Sequence, residues 1–249
     1  MESALILPRA AAACAGAAAA MFLFACDRRE TSSGGGSSSS EPAAHETGAA
    51  PKASASPPGG ARRPALVFLG DSLTAGFGLE ANEAAPALIQ AEVDRAGLGL
   101  QVVNAGRSGD TTAGGAARVD YYLRPEVAPV GLIVWLGAND SMRGLPLAEI
   151  EADLRAIVQR AHAFDRSLQV FLVQMRAFPN LGADYGRAFE AIYPRIAESE
   201  GAVLLPFPLA DVAGRPELNQ TDGIHPTAEG TRRVAATLWA GLKPHLGPR

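Results

Sequence analysis

The sequence predicts an α/β fold, a three-layer α/β/α sandwich around a five-stranded parallel sheet, on two observations. The first is a set of short apolar runs: ALVFLG (65–70), LQVVNAG (100–106), GLIVWLG (131–137), LQVFLVQM (168–175) and AVLLPF (202–207). They are continuously apolar rather than alternating, as parallel strands covered on both faces are. The second is what lies between them. Residues 146–164 repeat apolar positions at helical spacing, and 226–246 do so again with Pro226 expected at the first helical position. Strands alternating with helices, joined by right-handed crossovers, stack as helix layer, sheet and helix layer.

Taken from the N-terminus, the chain divides into three. Residues 1–25 read as a signal peptide: Arg9 supplies a positive charge, and AAAACAGAAAAMFLFAC (10–26) is too short and Ala-rich for a membrane span. LFAC resembles the lipobox of bacterial lipoproteins, which makes Cys26 the expected lipid-bearing residue of the mature chain; the alternative is a plain secretory signal with a chance cysteine. Residues 26–63 are Ser, Gly, Ala and Pro with almost nothing large and apolar, so they cannot bury enough surface to offset their ordering entropy. A flexible tether of that length has a reach of roughly 30 to 35 Å. Residues 64–249 form the folded domain. Both cysteines, Cys14 and Cys26, precede it, so it is expected to hold no disulfide.

Composition excludes some functions. The formal net charge is −4 and no run of Lys or Arg forms a stripe, which argues against a nucleic-acid partner. GFGLEA (76–81) matches a dinucleotide-binding pattern, but its first glycine lies seven residues beyond Leu69 instead of in the tight turn after the strand. The second strand also lacks the acidic residue that would hold a ribose.

The polar residues gather where a parallel sheet places function, after the carboxyl ends of strands: GDSLTAG (70–76), NAGRSGDTT (104–112), GANDS (137–141) and QTDGIHP (220–226). A neutral serine becomes a nucleophile when a base takes its proton, a third group orients the base and donors await the oxyanion. Ser72, His225 and Asp222 supply the first three. His45 lies in the tether, His162 in a helical pattern and His245 in the tail, leaving His225 as the histidine at a strand end. Asp222 can curl back through the Gly223 turn to hold it. Asp71 reads as a residue that ties down the turn. No G-x-S-x-G surrounds Ser72, which argues against the nucleophile elbow of the α/β-hydrolase fold.

GDSL at 70–73, Gly109, Asn139 and DGIHP at 222–226 resemble the four blocks of the GDSL, or SGNH, hydrolase superfamily. VVNAGRSGDTT and YGRAFEAIYPRIAE are similar to its bacterial arylesterase, lysophospholipase and acyl-CoA thioesterase branch, with Ala138 standing where that branch usually has glycine. The resemblance implies a flavodoxin-like fold, a nucleophile at Ser72, a base at His225 held by Asp222, and an oxyanion hole from the Ser72 and Gly109 N–H groups and the Asn139 side chain. Glycine at 109 lets backbone approach the substrate without a Cβ. The implied activity is that of a serine carboxylic ester hydrolase needing no metal or other cofactor. A small acyl ester or lysophospholipid is the expected substrate, at the periplasmic face of a bacterial envelope with a lipid anchor at Cys26. The alternatives are a deacetylase of envelope carbohydrate on the same fold and an inactive tethered binding protein. Residues 175–186 are expected to wall the acyl pocket.

Overall fold

The structure, a computed structural model, describes residues 62–247. The expected signal peptide, Cys26 and nearly all of the expected tether fall outside them. Five strands form one parallel sheet: β1 (Ala65–Gly70), β2 (Gln101–Gly106), β3 (Pro129–Trp135), β4 (Gln169–Val173) and β5 (Val203–Leu205). Their order is β2-β1-β3-β4-β5. β1 thus lies between β2 and β3, with Gly70 in register with Gly106 on one side and Trp135 on the other.

Helices complete the layers: α1 (Ser72–Ala75), α2 (Ala85–Arg95), α3 (Thr112–Arg118), α4 (Ala138–Met142), α5 (Leu147–Phe164), α6 (Ala183–Glu190), α7 (Ile192–Glu200) and α8 (Ala228–Leu242). α2 packs against α8, and α5 packs between α3 and α7. α5 shows why the pattern folds this way. Ile150, Leu154, Ile157, Val158 and Ala161 fall on one helical face and are buried, while the opposite face, which carries Glu149, Gln159 and Arg160, is exposed. Leu154 has no exposed surface, so truncating it to alanine would cost about 2–5 kcal/mol.

Expectation and structure part at three places. β1 and β3 are buried almost throughout, but β2 and β5 are edge strands with partly exposed residues, so cover on both faces holds only for the inner strands. β3 begins at Pro129 and stops at Trp135, because Leu136 and Gly137 already turn toward α4. Pro226 is not the first helical residue: Thr227 is the N-cap, its hydroxyl accepting from Gly230 N, while Pro226 bridges to Asn219 in an isolated antiparallel pair.

Candidate active site

In this strand order the chain reverses direction across the sheet between β1 and β3, the switch point where doubly wound folds open a crevice. Ser72 follows β1 there and Asn139 follows β3. β1 ends at Gly70, and the next residue caps the turn that presents the serine: the Asp71 carboxylate accepts from Leu73 N at 3.0 Å. Asp71 therefore ties down the turn, as the sequence indicated. It does so while buried, and burial pushes its pKa up from the ordinary carboxylate value to about 7.

Two residues 153 positions apart meet across the crevice: Ser72 Oγ lies 2.9 Å from His225 Nε2. On the other side of the ring, His225 Nδ1 lies 2.6 Å from Asp222 Oδ2. A carboxylate can only accept, so Nδ1 carries the hydrogen and Nε2 of the neutral ring is left to accept from the serine hydroxyl. Asp222 Oδ1 also accepts from Ile224 N at 2.9 Å and His225 N at 3.0 Å. The bond from the imidazole and then these two amides lower the Asp222 pKa to about 2, so it is ionised at any working pH.

The remaining predicted residues surround the hydroxyl. Asn139 donates through Nδ2 to Asp110 O at 2.9 Å and, at a longer 3.4 Å, toward Asp71 Oδ2. Gly109 lines the same cavity with φ +81°, and a Cβ on it would meet nothing within 4 Å. Glycine there answers to the left-handed backbone rather than to crowding by protein atoms. Ser72 opens a helix, where amides lack an intrahelical acceptor. The Gly109 amide has no acceptor among the described residues.

Several parts of the site carry no local sequence signal. Arg118 Nε pairs with Asp110 Oδ2 at 2.6 Å, Nη1 donates to Ala105 O at 2.7 Å and Nη2 to Gly70 O at 2.9 Å. One guanidinium thus ties the ends of β1 and β2 to the loop bearing Gly109. Thr112 joins the second and third loops, donating from its N–H and hydroxyl to the buried Asp140 carboxylate, whose pKa is raised chiefly by burial. Beside Ser72 opens a cavity of about 540 Å³. Met175 to Pro179 form one wall, the first part of the segment expected to do so; Phe207, Leu209, Ala210 and Ala213, which follow β5, form another that the sequence did not announce. Phe77, Met142 and Ile224 stand exposed at its lining.

A parallel 2-1-3-4-5 sheet with these four loops at its carboxyl edge defines a hydrolase of the SGNH kind. Comparison with known proteins gives the same class. The model of the GDSL-like Lipase/Acylhydrolase family matches residues 68–233, and the chain belongs to that family. It is similar to Esterase TesA of Pseudomonas aeruginosa, 37% identical over 186 residues that cover 75% of this chain and 91% of that protein. It is likewise similar to Thioesterase 1/protease 1/lysophospholipase L1 of Escherichia coli K12, 38% identical over 184 residues, 74% of this chain and 86% of the relative. Among solved structures, the psychrotrophic esterase EstA from Pseudoalteromonas sp., inhibited by monoethylphosphonate, superposes with a TM-score of 0.69 at 30% identity, covering 73% of this chain and 98% of its own. The chain is accordingly a carboxylic ester hydrolase.

Proposed function

We propose that hydrolysis proceeds through an acyl-enzyme on Ser72, and that the substrates are acyl esters of the lysophospholipid kind met in a bacterial envelope. The observation that carries this reading is the hydrogen-bonded row from Asp222 through His225 to Ser72 Oγ at the edge of an apolar cavity. His225 Nε2 takes the serine proton as Oγ bonds to the acyl carbon. The ionised Asp222 stabilises the imidazolium so formed. Negative charge on the carbonyl oxygen is met by the Ser72 and Gly109 amides and the Asn139 carboxamide, neutral donors whose role does not change with pH. The tetrahedral adduct collapses as His225 returns the proton to the leaving alcohol; water, deprotonated by the same ring, then releases the acid and regenerates Ser72.

The cavity lining of Leu73, Phe77, Met142, Met175, Phe178 and Phe207 favours an acyl chain over a sugar ring. That choice favours the esterase over the carbohydrate deacetylase. A relative carries lysophospholipase in its name, which supports the same substrate class here. The lipobox at LFAC and the Ser/Gly-rich residues 26–63 support a domain tethered through Cys26 at the periplasmic face, within reach of such lipids.

A p-nitrophenyl alkylphosphonate tests the chemistry: it should release one equivalent of p-nitrophenol and leave the phosphonyl group on the peptide containing Ser72. Labelling at any other residue would remove Ser72 from the nucleophile role. For the location, wild type should partition with membranes and incorporate a palmitate analogue, and Cys26→Ser should lose both. Unlabelled wild-type protein free in the periplasm would make residues 1–25 a plain secretory signal.

A further inference from the structure

Ser72 follows β1 and His225 lies in the long segment after β5, two strands that do not touch. β1 and β5 are separated in the sheet by β3 and β4, so no ladder of backbone bonds fixes one loop against the other. Yet the proton transfer proposed above requires the two side chains to be held within hydrogen-bond reach. Something between the loops must set that distance.

Gln220 lies between them. Its Nε2 donates to Phe77 O at 2.8 Å and to Pro226 O at 3.0 Å. Its backbone N–H donates to His225 O at 2.7 Å. Phe77 in turn hangs from the nucleophile's own residue, its N–H donating to Ser72 O at 3.1 Å. The Phe77 ring also lies against the imidazole of His225, with centroids 4.5 Å apart. Ser72, Phe77, Gln220 and His225 therefore form a closed circuit, completed by the bond from Ser72 Oγ to His225 Nε2.

We infer that Gln220 is a positioning residue for ester hydrolysis, its carboxamide clamping the Ser72–Phe77 turn to the Asp222–His225 loop. The inference rests on the roles proposed for Ser72 and His225. A carboxamide suits the place because one nitrogen carries two hydrogens for two carbonyls; a carboxylate would repel both, and a hydrocarbon would satisfy neither. Gly78 supplies the room. Its φ is +75°, and a Cβ there would collide with the Gln220 carboxamide. The second glycine of GFG, part of a pattern that resembles a cofactor motif, is thus the seat of the clamp. Gln220 is not among the residues lining the acyl cavity, which separates its effect from substrate contact.

The test compares Gln220→Met and Gln220→Glu with wild type and Ser72→Ala on p-nitrophenyl butyrate, alongside thermal melting and the rate of phosphonylation by the p-nitrophenyl phosphonate. The partly exposed side chain should allow both variants to fold. Expected is a fall in kcat of about 10- to 100-fold, steeper for Glu, with KM little changed and phosphonylation slowed by the same factor. Wild-type kcat in both folded variants would overturn the clamp, as would a change confined to KM. A loss of kcat that disappears when the assay is cooled well below the melting transition would also overturn it, by reducing Gln220 to a contributor to stability. Turnover by Ser72→Ala would instead refute the catalytic reading, an outcome separate from any of these.

Discussion

Asp71→Asn should change how stability depends on pH, and the structure fixes the sign. Asp71 is 1% exposed, and burial raises its pKa from 3.8 to about 7. The folded protein therefore keeps a proton that the unfolded chain gives up between those values. Stability from this group is complete below the unfolded value, declines as pH rises toward about 7, and is level above it. The interval, at about 1.4 kcal/mol per pH unit, corresponds to a cost of burying the charge of about 4 kcal/mol. Asparagine retains an oxygen to accept from Leu73 N but has no charge to bury. Its new N–H group faces the Asn139 amide, a cost that does not vary with pH. The quantity to measure is hence the melting temperature of the variant minus that of wild type, by calorimetry at about pH 4 and about pH 8. For a domain of this size the difference should shift in the variant's favour by roughly 8–16 °C between the two conditions. A difference that stays constant, or moves in wild type's favour as pH rises, would refute the assignment of a buried, proton-holding carboxyl beside Ser72.

Ser72→Ala should lower ester turnover by on the order of 10⁶ in kcat while leaving the melting curve near wild type; retention of a tenth of the activity in a clean preparation would contradict the nucleophile assignment. Asn139→Ala should cost roughly 10²–10³ in kcat with little effect on KM, and a change in KM alone would make Asn139 a substrate-binding group. Asp222→Asn keeps an oxygen for the Ile224 and His225 amides but loses the charge, so kcat should fall by about 10⁴; near-normal steady-state kinetics would show that the carboxylate is not needed to hold the ring. Gly78→Ala should lower kcat together with thermal stability, since its methyl group meets the Gln220 carboxamide in a backbone conformation that disfavours alanine.

How much of this was legible beforehand depends on the distance over which each feature acts. The sequence marks β1 at its observed limits because Gly70 ends an apolar run that is buried from end to end. For the edge strands β2 and β5 the sequence suggests too much length or burial, since an apolar run does not say whether a neighbour lies on both sides. Ser72, Gly109 and Asn139 sit within four positions of strand ends, where fold class alone gathers them on one edge, whereas Asp222 and His225 lie 17 and 20 residues past the end of β5. Asp222 and His225 are three residues apart, so their contact is nearly a local property. Arg118 reaching Gly70 O, 48 residues away, and Gln220 reaching Phe77 O, 143 away, are not. Such bonds exist only once the sheet order is known, and no spacing in the chain announces them. The cavity wall at Phe207 to Ala213 belongs with them.

The order in which the site is written along the chain has a consequence for the life of the protein before it folds. Ser72 emerges early in synthesis, just after the first strand, whereas Asp222 and His225 come after the last, with α8 the one α-helix still to follow among the described residues. On the proposed mechanism a nascent chain accordingly holds a hydroxyl without its base, and an alcohol with no proton acceptor is inert toward esters. Only after β5 and its loop have been delivered and docked does the reactive pair exist. Ester hydrolysis by the proposed mechanism is thereby withheld until the domain has folded.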